Sequence, residues 1–379
     1  MPLTGMMRCA YRRAMNERRR QAVVAVVGNP ASNNGKGAKA TKQVLDMLGA
    51  RGQAHGFAVR DLTGESLDES VASIRAARGT YDYLVVVGGD GMVSLGVNAV
   101  AGSDIPLGIV GVGSGNDFAR GLGLPVNRIE TAVEGIVGAV VCDSHMDIDM
   151  GYASSPGADS RPIEDADGHG RGRFFAGMLS CGIDASINDR ANHSQLPGGT
   201  LRYFAAVLTE LAHMKRYGYH VSATLADGTA EEYDIVAPLL TVANSRHIGG
   251  GIEVSPYSSF DDGLLDMVWM NRMPGFAELV RALRHAYDGR LLSARFLSWK
   301  RVQSVTITRA GEGDEPPTLM ADGEYVGSLP LHAEAHKRVL RVLVPPAVVE
   351  WHRRERDTER LERVVSRDGR DVLTGEFAE

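Results

Sequence analysis

Two short stretches of the 379-residue chain combine glycine-rich turns with carboxylates. Gly88-Gly89-Asp90-Gly91 follows the apolar run Tyr83–Val87, and Gly113-Ser114-Gly115-Asn116-Asp117 follows Ile105–Val112. Three glycines let a backbone approach a ligand closely and adopt positive φ without a Cβ clash. After the first turn Val93, Val97 and Val100 recur at helical spacing. Amides exposed at the start of such a helix favour a phosphate. A carboxylate in the same turn repels one, so Asp90 points to a metal or a substrate hydroxyl close by. Either turn alone also fits an ordinary tight β–α connection. Two of them, at the ends of apolar strands and each with one carboxylate, point to a phosphate site that takes positive charge from a metal.

Such turns need parallel strands behind them. Ala22–Val27 is a continuous, largely β-branched run, the pattern of a central parallel strand. Gly28-Asn29-Pro30 and a polar, glycine-containing loop follow it, then a helix over 38–51. Gly35-Lys36 precedes Gly37 rather than Ser or Thr, so this loop is not a P-loop. Gly111 and Gly113 are followed by Asn at 116, which disfavours a dinucleotide-binding dehydrogenase. A strand over Phe57–Leu62 ends at Thr63, and helices are predicted over 67–78 and 129–139. From Val140–Ile148 onward the pattern changes to short strands separated by turn signals, over 174–180, 219–225, 231–236, 239–243, 264–269, 304–308 and 339–344. Helices are expected at 200–215 and 275–287, and a mobile surface loop at 153–173. A charged helix over 347–365 closes the chain. The expected organisation is a basic extension (1–21), an open parallel α/β nucleotide-binding domain (22–143), a β-rich sandwich domain (144–345), and a C-terminal helix and tail (346–379).

Composition narrows the function. Hydrophobic residues make up 44% and charged residues 23%, with a formal net charge of -6. That leaves no basic footprint for nucleic acid. Cys9, Cys142 and Cys181 form no Cys-x-x-Cys pair, so neither a zinc knuckle nor a disulfide framework is expected, as suits a reducing cytosol. No apolar stretch approaches membrane-span length. The arginines of residues 1–21 read as a solvated start, with weak attraction to anionic headgroups as the functional alternative. His332 and His336 have helical metal spacing, but Pro330 and the alternating Leu340, Val342 and Val344 make this a loop-to-strand region, not a zinc site.

Over residues 22–345 the chain resembles the bacterial soluble lipid kinases of the diacylglycerol kinase catalytic-domain family, relatives of sphingosine kinase. The motifs, in order, are Asn29-Pro30, Gly88–Gly91, Gly113–Arg120, Ala243-Asn244 with Gly249-Gly250-Gly251, Asp261-Asp262-Gly263-Leu264-Leu265-Asp266, and Asp322-Gly323-Glu324. Phosphofructokinases and NAD kinases share the first glycine turn; the stretch 261–266 ahead of Asp322-Gly323-Glu324 separates this family from both. Met92 stands where the family has threonine, and Ser114 replaces a threonine while keeping the hydroxyl.

The resemblance implies a phosphofructokinase- and NAD-kinase-like first domain that binds ATP, and a β-rich domain that holds lipid in a cleft. The activity implied is transfer of the γ-phosphate to a lipid hydroxyl, with diacylglycerol giving phosphatidic acid first among the acceptors, by a cytoplasmic enzyme at the inner face of the membrane, in a family whose soluble members often form homodimers. An NAD-kinase-like small-molecule kinase and a non-catalytic nucleotide-binding regulator are the alternatives. The implied nucleotide site comprises Asn29, Pro30, Thr63, Gly89, Asp90, Gly91, Met92, Ser94, Gly113, Ser114, Asn116 and Asp117. Asp90, Asp117 and Glu324 are the carboxylates for Mg²⁺, an oxygen-seeking cation. Asp262, with carbonyls around Ser259 and Leu264, resembles a second, structural Mg²⁺ position, although an Asx-type turn explains it equally well. Glu324 or Asp322 is the expected general base, with Asp90 next. Two residues apart on one strand, 322 and 324 would share a face.

Overall fold

The computed structural model describes residues 21–30, 35–157, 172–194, 206, 209–210, 213–355 and 358–378. The chain divides into two units, Met1–Ile148 with Arg338–Arg356, and Asp149–Lys337 with Asp357–Glu379.

In the first unit, β1 (Ala22–Gly28), β2 (Phe57–Asp61), β3 (Tyr83–Gly88) and β4 (Leu107–Gly111) form a parallel sheet in the order β4-β3-β1-β2. Val342 joins β4 in parallel beside Leu107. The continuous apolar runs are explained by cover on both faces. Val24, Val26, Val85 and Val87 pack with Val44 and Leu48 of the helix Lys36–His55 and with Val133, Ile136 and Val137 of the helix Ile129–Cys142. On the other face the helix Asp90–Val100 comes close enough that a Cβ at Gly96 would lie 2.7 Å from Val86 and 2.8 Å from Leu107. The helix Leu67–Ala76 is capped by the Ser66 hydroxyl, which accepts from the Glu69 amide at 3.1 Å.

The second unit is mostly antiparallel. Its strands are the second half of β5 (His145–Ser154), then β6 (Gly172–Phe175), β7 (Met178–Ser180), β8 (Tyr217–Leu225), β9 (Ala230–Ala237), β10 (Leu240–Ala243), β11 (His247–Ile248), β12 (Ile252–Glu253), β13 (Leu265–Met270), β14 (Leu297–Arg309), β15 (Leu319–Ala321), β16 (Glu324–Gly327) and β17 (Leu331–Leu343), whose last residues belong to the first unit. The main order is β16-β15-β7-β10-β13-β14-β17, with β8 paired to β14 and β9. β14 bends the sheet: Leu297–Val302 pairs with β13, Ser304–Ile307 with β17, and a register shift near Val302 opens its pairing with β8. The core gathers Phe175, Leu179, Tyr219, Leu240, Val242, Leu265 and Val305.

The expected α/β unit followed by a β-rich region is what the chain forms, with local differences. The first unit runs to Ile148 and takes back 338–356, so its limits are not those expected. Val140 and Val141 extend the apolar stripe of the helix Ile129–Cys142, which ends at left-handed Asp143; the strand starts only at His145. The strand expected at 174–180 is split at Ala176-Gly177. The helix Ile183–His193 was not anticipated, because a short apolar face of Ile183, Ala185 and Ile187, with Ala191 partly buried, marks its inner side. The loop expected at 153–173 is shorter: Ala153 pairs with Arg173 and Ser154 with Gly172, and 158–171 lie outside the described residues. Residues 332–336 belong to β17, and two helices, Pro346–Glu355 and Thr358–Arg367, replace the single one at 347–365. The basic extension and most of the helix expected at 200–215 also lie outside the described residues.

Candidate active site

β3 and β4 are neighbours with Gly88 opposite Gly111, so the two glycine turns leave the sheet side by side. They touch through their backbones. A Cβ on Gly113 would lie 2.4 Å from Gly89 Cα, and one on Gly89 would lie 3.2 Å from Gly113 Cα. The second turn is shaped by Asn116, which is buried and left-handed at φ 56. Its Oδ1 accepts from Gly113 N at 2.9 Å and its Nδ2 donates to Gly113 O at 2.7 Å. Asp90, the first residue of its helix, fastens the turns together. Its Oδ2 accepts from Asn116 N and its Oδ1 from Asp117 N, both at 2.8 Å. Burial raises the Asp90 pKa above the usual carboxylate range, against the opposing pull of these amides. A Cβ on Gly115 would lie 2.5 Å from Asp90 Oδ2 and 3.3 Å from Asp117 Oδ2, so both carboxylates converge on a space that any side chain would fill.

The first loop is held similarly. The Thr63 hydroxyl accepts from Gly28 N at 3.1 Å and so closes the end of β1. A Cβ on Gly28 would fall 1.9 Å from Thr41 Oγ1, which itself donates to Gly37 O at 2.9 Å. Asn29 and Pro30, half-buried, continue directly from this strand end, and Ser114 is exposed on the second turn. Two expected ligands are not available. Met92 is 3% exposed and packs on Gly88, where a Cβ would lie 2.4 Å from its Cγ; its amide donates to Gly89 O. Ser94 is 1% exposed on the inner face of the same helix.

In the second unit, Asp322 and Gly323 form a two-residue hairpin loop between β15 and β16, at φ 52 and 80. The Asp322 carboxylate braces the break between β6 and β7. Its Oδ2 accepts from Ala176 N at 2.7 Å, and its Oδ1 from Gly177 N at 2.8 Å and Met178 N at 3.1 Å. Burial pushes its pKa up to about 6, although the three amides and Arg173 oppose the rise. Glu324 opens β16 and is exposed. Because Asp322 is a left-handed turn residue and not a strand residue, the expectation that 322 and 324 share a strand face does not hold.

The profile of the diacylglycerol kinase catalytic domain matches residues 23–148, and that of the YegS C-terminal NAD kinase beta sandwich-like domain matches 177–344. A diacylglycerol kinase of Mycobacterium tuberculosis is 31% identical over 327 residues, covering 85% of this chain and 95% of that protein. The chain belongs to the diacylglycerol kinase family. A diacylglycerol kinase of Bacillus subtilis is 25% identical, covering 84% of this chain and 95% of the relative. A crystal structure of a diacylglycerol kinase from Bacillus anthracis shares the fold, with a TM-score of 0.58 at 19% identity over 86% of this chain and 98% of that one. The chain is thus a lipid kinase, a phosphotransferase with an alcohol acceptor. No described helix is long and apolar enough to cross a membrane.

Two metal positions were expected of such a kinase, and they fare differently. No group of three or more His, Cys, Asp or Glu side chains among the described residues could hold a metal. A Mg²⁺ that travels with nucleotide phosphates needs only one or two protein carboxylates. The convergence of Asp90 and Asp117 on Gly115 fits that demand. Asp262 does not fit a structural cation. Arg301 already forms an ion pair with it, and Leu264 N donates to its Oδ1 at 3.0 Å, which is the Asx turn. Burial, partly offset by Arg301, raises the Asp262 pKa to about 7.

Two features of this diacylglycerol kinase family member escaped the sequence. Asp184 is buried at the start of the helix Ile183–His193. It accepts from Gly182 N at 2.9 Å through Oδ1, while Oδ2 has no partner, and burial pushes its pKa up to about 6. The signal was faint, a Gly-x-Asp ahead of Ile183 and Ile187. A cavity of about 990 Å³ in the second unit is lined by Asp189, Arg190, His193, Glu210, His213 and Tyr325 among others, far apart in sequence.

Proposed function

We propose that the chain is an ATP-dependent lipid kinase that moves the γ-phosphate to a lipid hydroxyl, with diacylglycerol as acceptor and phosphatidic acid as product. The observation that carries this reading is the Asp90 clasp, which fixes two glycine turns side by side at the carboxyl ends of adjacent parallel strands. Phosphoryl transfer relies on positioning and charge neutralisation. The start of the helix Asp90–Val100 offers its dipole to phosphates. Gly113 and Gly89 let the two turns touch through their backbones, and exposed Ser114 offers a hydroxyl. Asp90 and Asp117 would hold Mg²⁺, which when bound neutralises charge developing on the phosphates. Glu324 is assigned as general base, because Asp322 spends its oxygens on three amides. Peripheral action at the inner membrane face belongs to the same reading.

Transfer of labelled phosphate from ATP with Mg²⁺ to a panel of diacylglycerol, a sphingoid base, phosphatidylglycerol, a prenol and soluble NAD tests it. Label on diacylglycerol is expected. Label on NAD alone, or ATP binding with no labelled product, would overturn the reading.

A further inference from the structure

The helix Phe276–Arg284 in the second unit turns an apolar stripe outward. Phe276 is 83% and Leu283 51% exposed; Val280 lies between them, and Tyr287, just past the helix, is 65% exposed. Phe276, Val280 and Leu283, at i, i+4 and i+7, lie on one side of the helix, and Tyr287 follows three residues beyond its end. The helix meets its own core through other positions, the small buried Ala282 and, beyond its end, Ala286. Core packing therefore does not account for the stripe. Met273, 42% exposed, extends the patch at its start. Arg281 and Arg284 stand exposed along the flank. Nearby carboxylates are already engaged: Glu278 receives two bonds from Arg272, and Asp288 is held by His285. In a chain of net charge -6, this places an apolar ridge beside locally positive charge.

We propose that this helix docks on an anionic phospholipid surface, its aromatic and aliphatic ridge entering the headgroup boundary and its arginines meeting lipid phosphates. An amphipathic helix with arginines beside a Phe, Leu and Tyr ridge has the chemistry of an interfacial helix. A soluble partner would satisfy the ridge but not require cations along its edge. The proposal rests on the lipid-acceptor reading for its purpose, and is tested separately from it.

The test is co-sedimentation of the full chain, without nucleotide, on phosphatidylcholine vesicles with and without phosphatidylglycerol. The wild type is expected to bind vesicles containing phosphatidylglycerol and to be released by salt. Phe276→Ser with Leu283→Ser should weaken that binding about ten-fold or more. Arg281→Glu with Arg284→Glu, which leaves the ridge intact, should abolish the preference for phosphatidylglycerol. Both pairs are exposed, so melting temperatures should stay at the wild-type value. Unchanged vesicle binding in either pair overturns the proposal. So does a change only in sedimentation-velocity mass, which would make the ridge a contact between copies. Phosphate transfer to detergent-dispersed diacylglycerol, run alongside, reads the catalytic assignment independently and should be unaffected by either pair.

Discussion

Sequence treats the glycines of the two turns alike, yet the structure separates them sharply. A Cβ on Gly113 would sit 2.4 Å from Gly89 Cα and 3.1 Å from Gly89 N. Carbon atoms in contact ordinarily stand about 3.5–4.0 Å apart, so Gly113→Ala must part the turns by about 1 Å. Both sides of the contact are backbone, and no flexible side chain can absorb the overlap. Overpacking of this kind costs about 1–3 kcal/mol, which lowers the melting temperature of a unit this size by about 2–12 °C. The same displacement moves the amides that Asp90 holds, and a 1 Å error in a positioned site can cost about a hundred-fold. ATP affinity should therefore fall by about ten-fold or more. Gly91→Ala is the internal control. Its Cβ meets nothing within 4 Å, and the residue lies in the first turn of a helix. It should stabilise by up to about 1 kcal/mol, opposite in sign to Gly113→Ala. Thermal melts and calorimetric ATP titrations of both variants read this directly. Equal behaviour of the two variants, or an unperturbed Gly113→Ala, would refute the reasoning.

Two further outcomes follow from the second unit. Asp322→Asn must turn an amide NH₂ toward at least one of three backbone N–H donors, at a cost of about 1–3 kcal/mol, whereas exposed Glu324→Gln should stay within about 0.5 kcal/mol. Turnover should nevertheless collapse in Glu324→Gln at an unchanged melting temperature; full turnover there would remove it as the base. Asp184, whose folded pKa is raised to about 6 from 3.8, holds its proton to higher pH in the native chain than in the unfolded one. Its contribution to stability is complete below about pH 4, falls as pH rises through 6, and is flat above that, with a slope of at most about 1.4 kcal/mol per pH unit. Asp184→Asn should flatten that part of a denaturant midpoint series between pH 4 and 7; a variant parallel to wild type would show that Asp184 titrates normally.

What could be read from the chain alone followed the strength of local patterning. β1, β3 and β4 were legible because a strand covered on both faces must be continuously apolar. The turns after β3 and β4 were legible because glycine, carboxylate and strand end coincide within a few residues. The split between β6 and β7 was not, since its cause is Asp322, 145 residues beyond Gly177. The helix Ile183–His193 hid for the opposite reason: its inner face is short, built from a few small or branched residues around a buried aspartate. The expectation for Asp262 failed because its counter-charge, Arg301, is 39 residues away. Long-range carboxylate partners leave no local trace, and they decide whether an aspartate binds a metal, braces a loop or remains free.

Met92 and Asp90 show how the phosphate turn resolves its own conflict. A carboxylate beside amides meant for phosphate would oppose the ligand if its charge stood free. Here each oxygen of Asp90 takes an N–H from the neighbouring turn, so its charge is partly offset while it shapes the second loop, and each oxygen can still face a cation. A hydroxyl at position 92 would add a donor, but the place is filled with packing. Met92 presses on Gly88, and its own amide is bonded within the turn to Gly89 O. The helix start is thereby anchored to the sheet by an apolar contact rather than by a ligand. Donors for phosphate must then come from the rim, from Ser114 and from the backbone of the second turn, whose position depends on the contact between Gly89 and Gly113. On the proposed ATP-dependent reading, that dependence makes the glycine pair, together with the Asp90 clasp, the element on which nucleotide affinity turns.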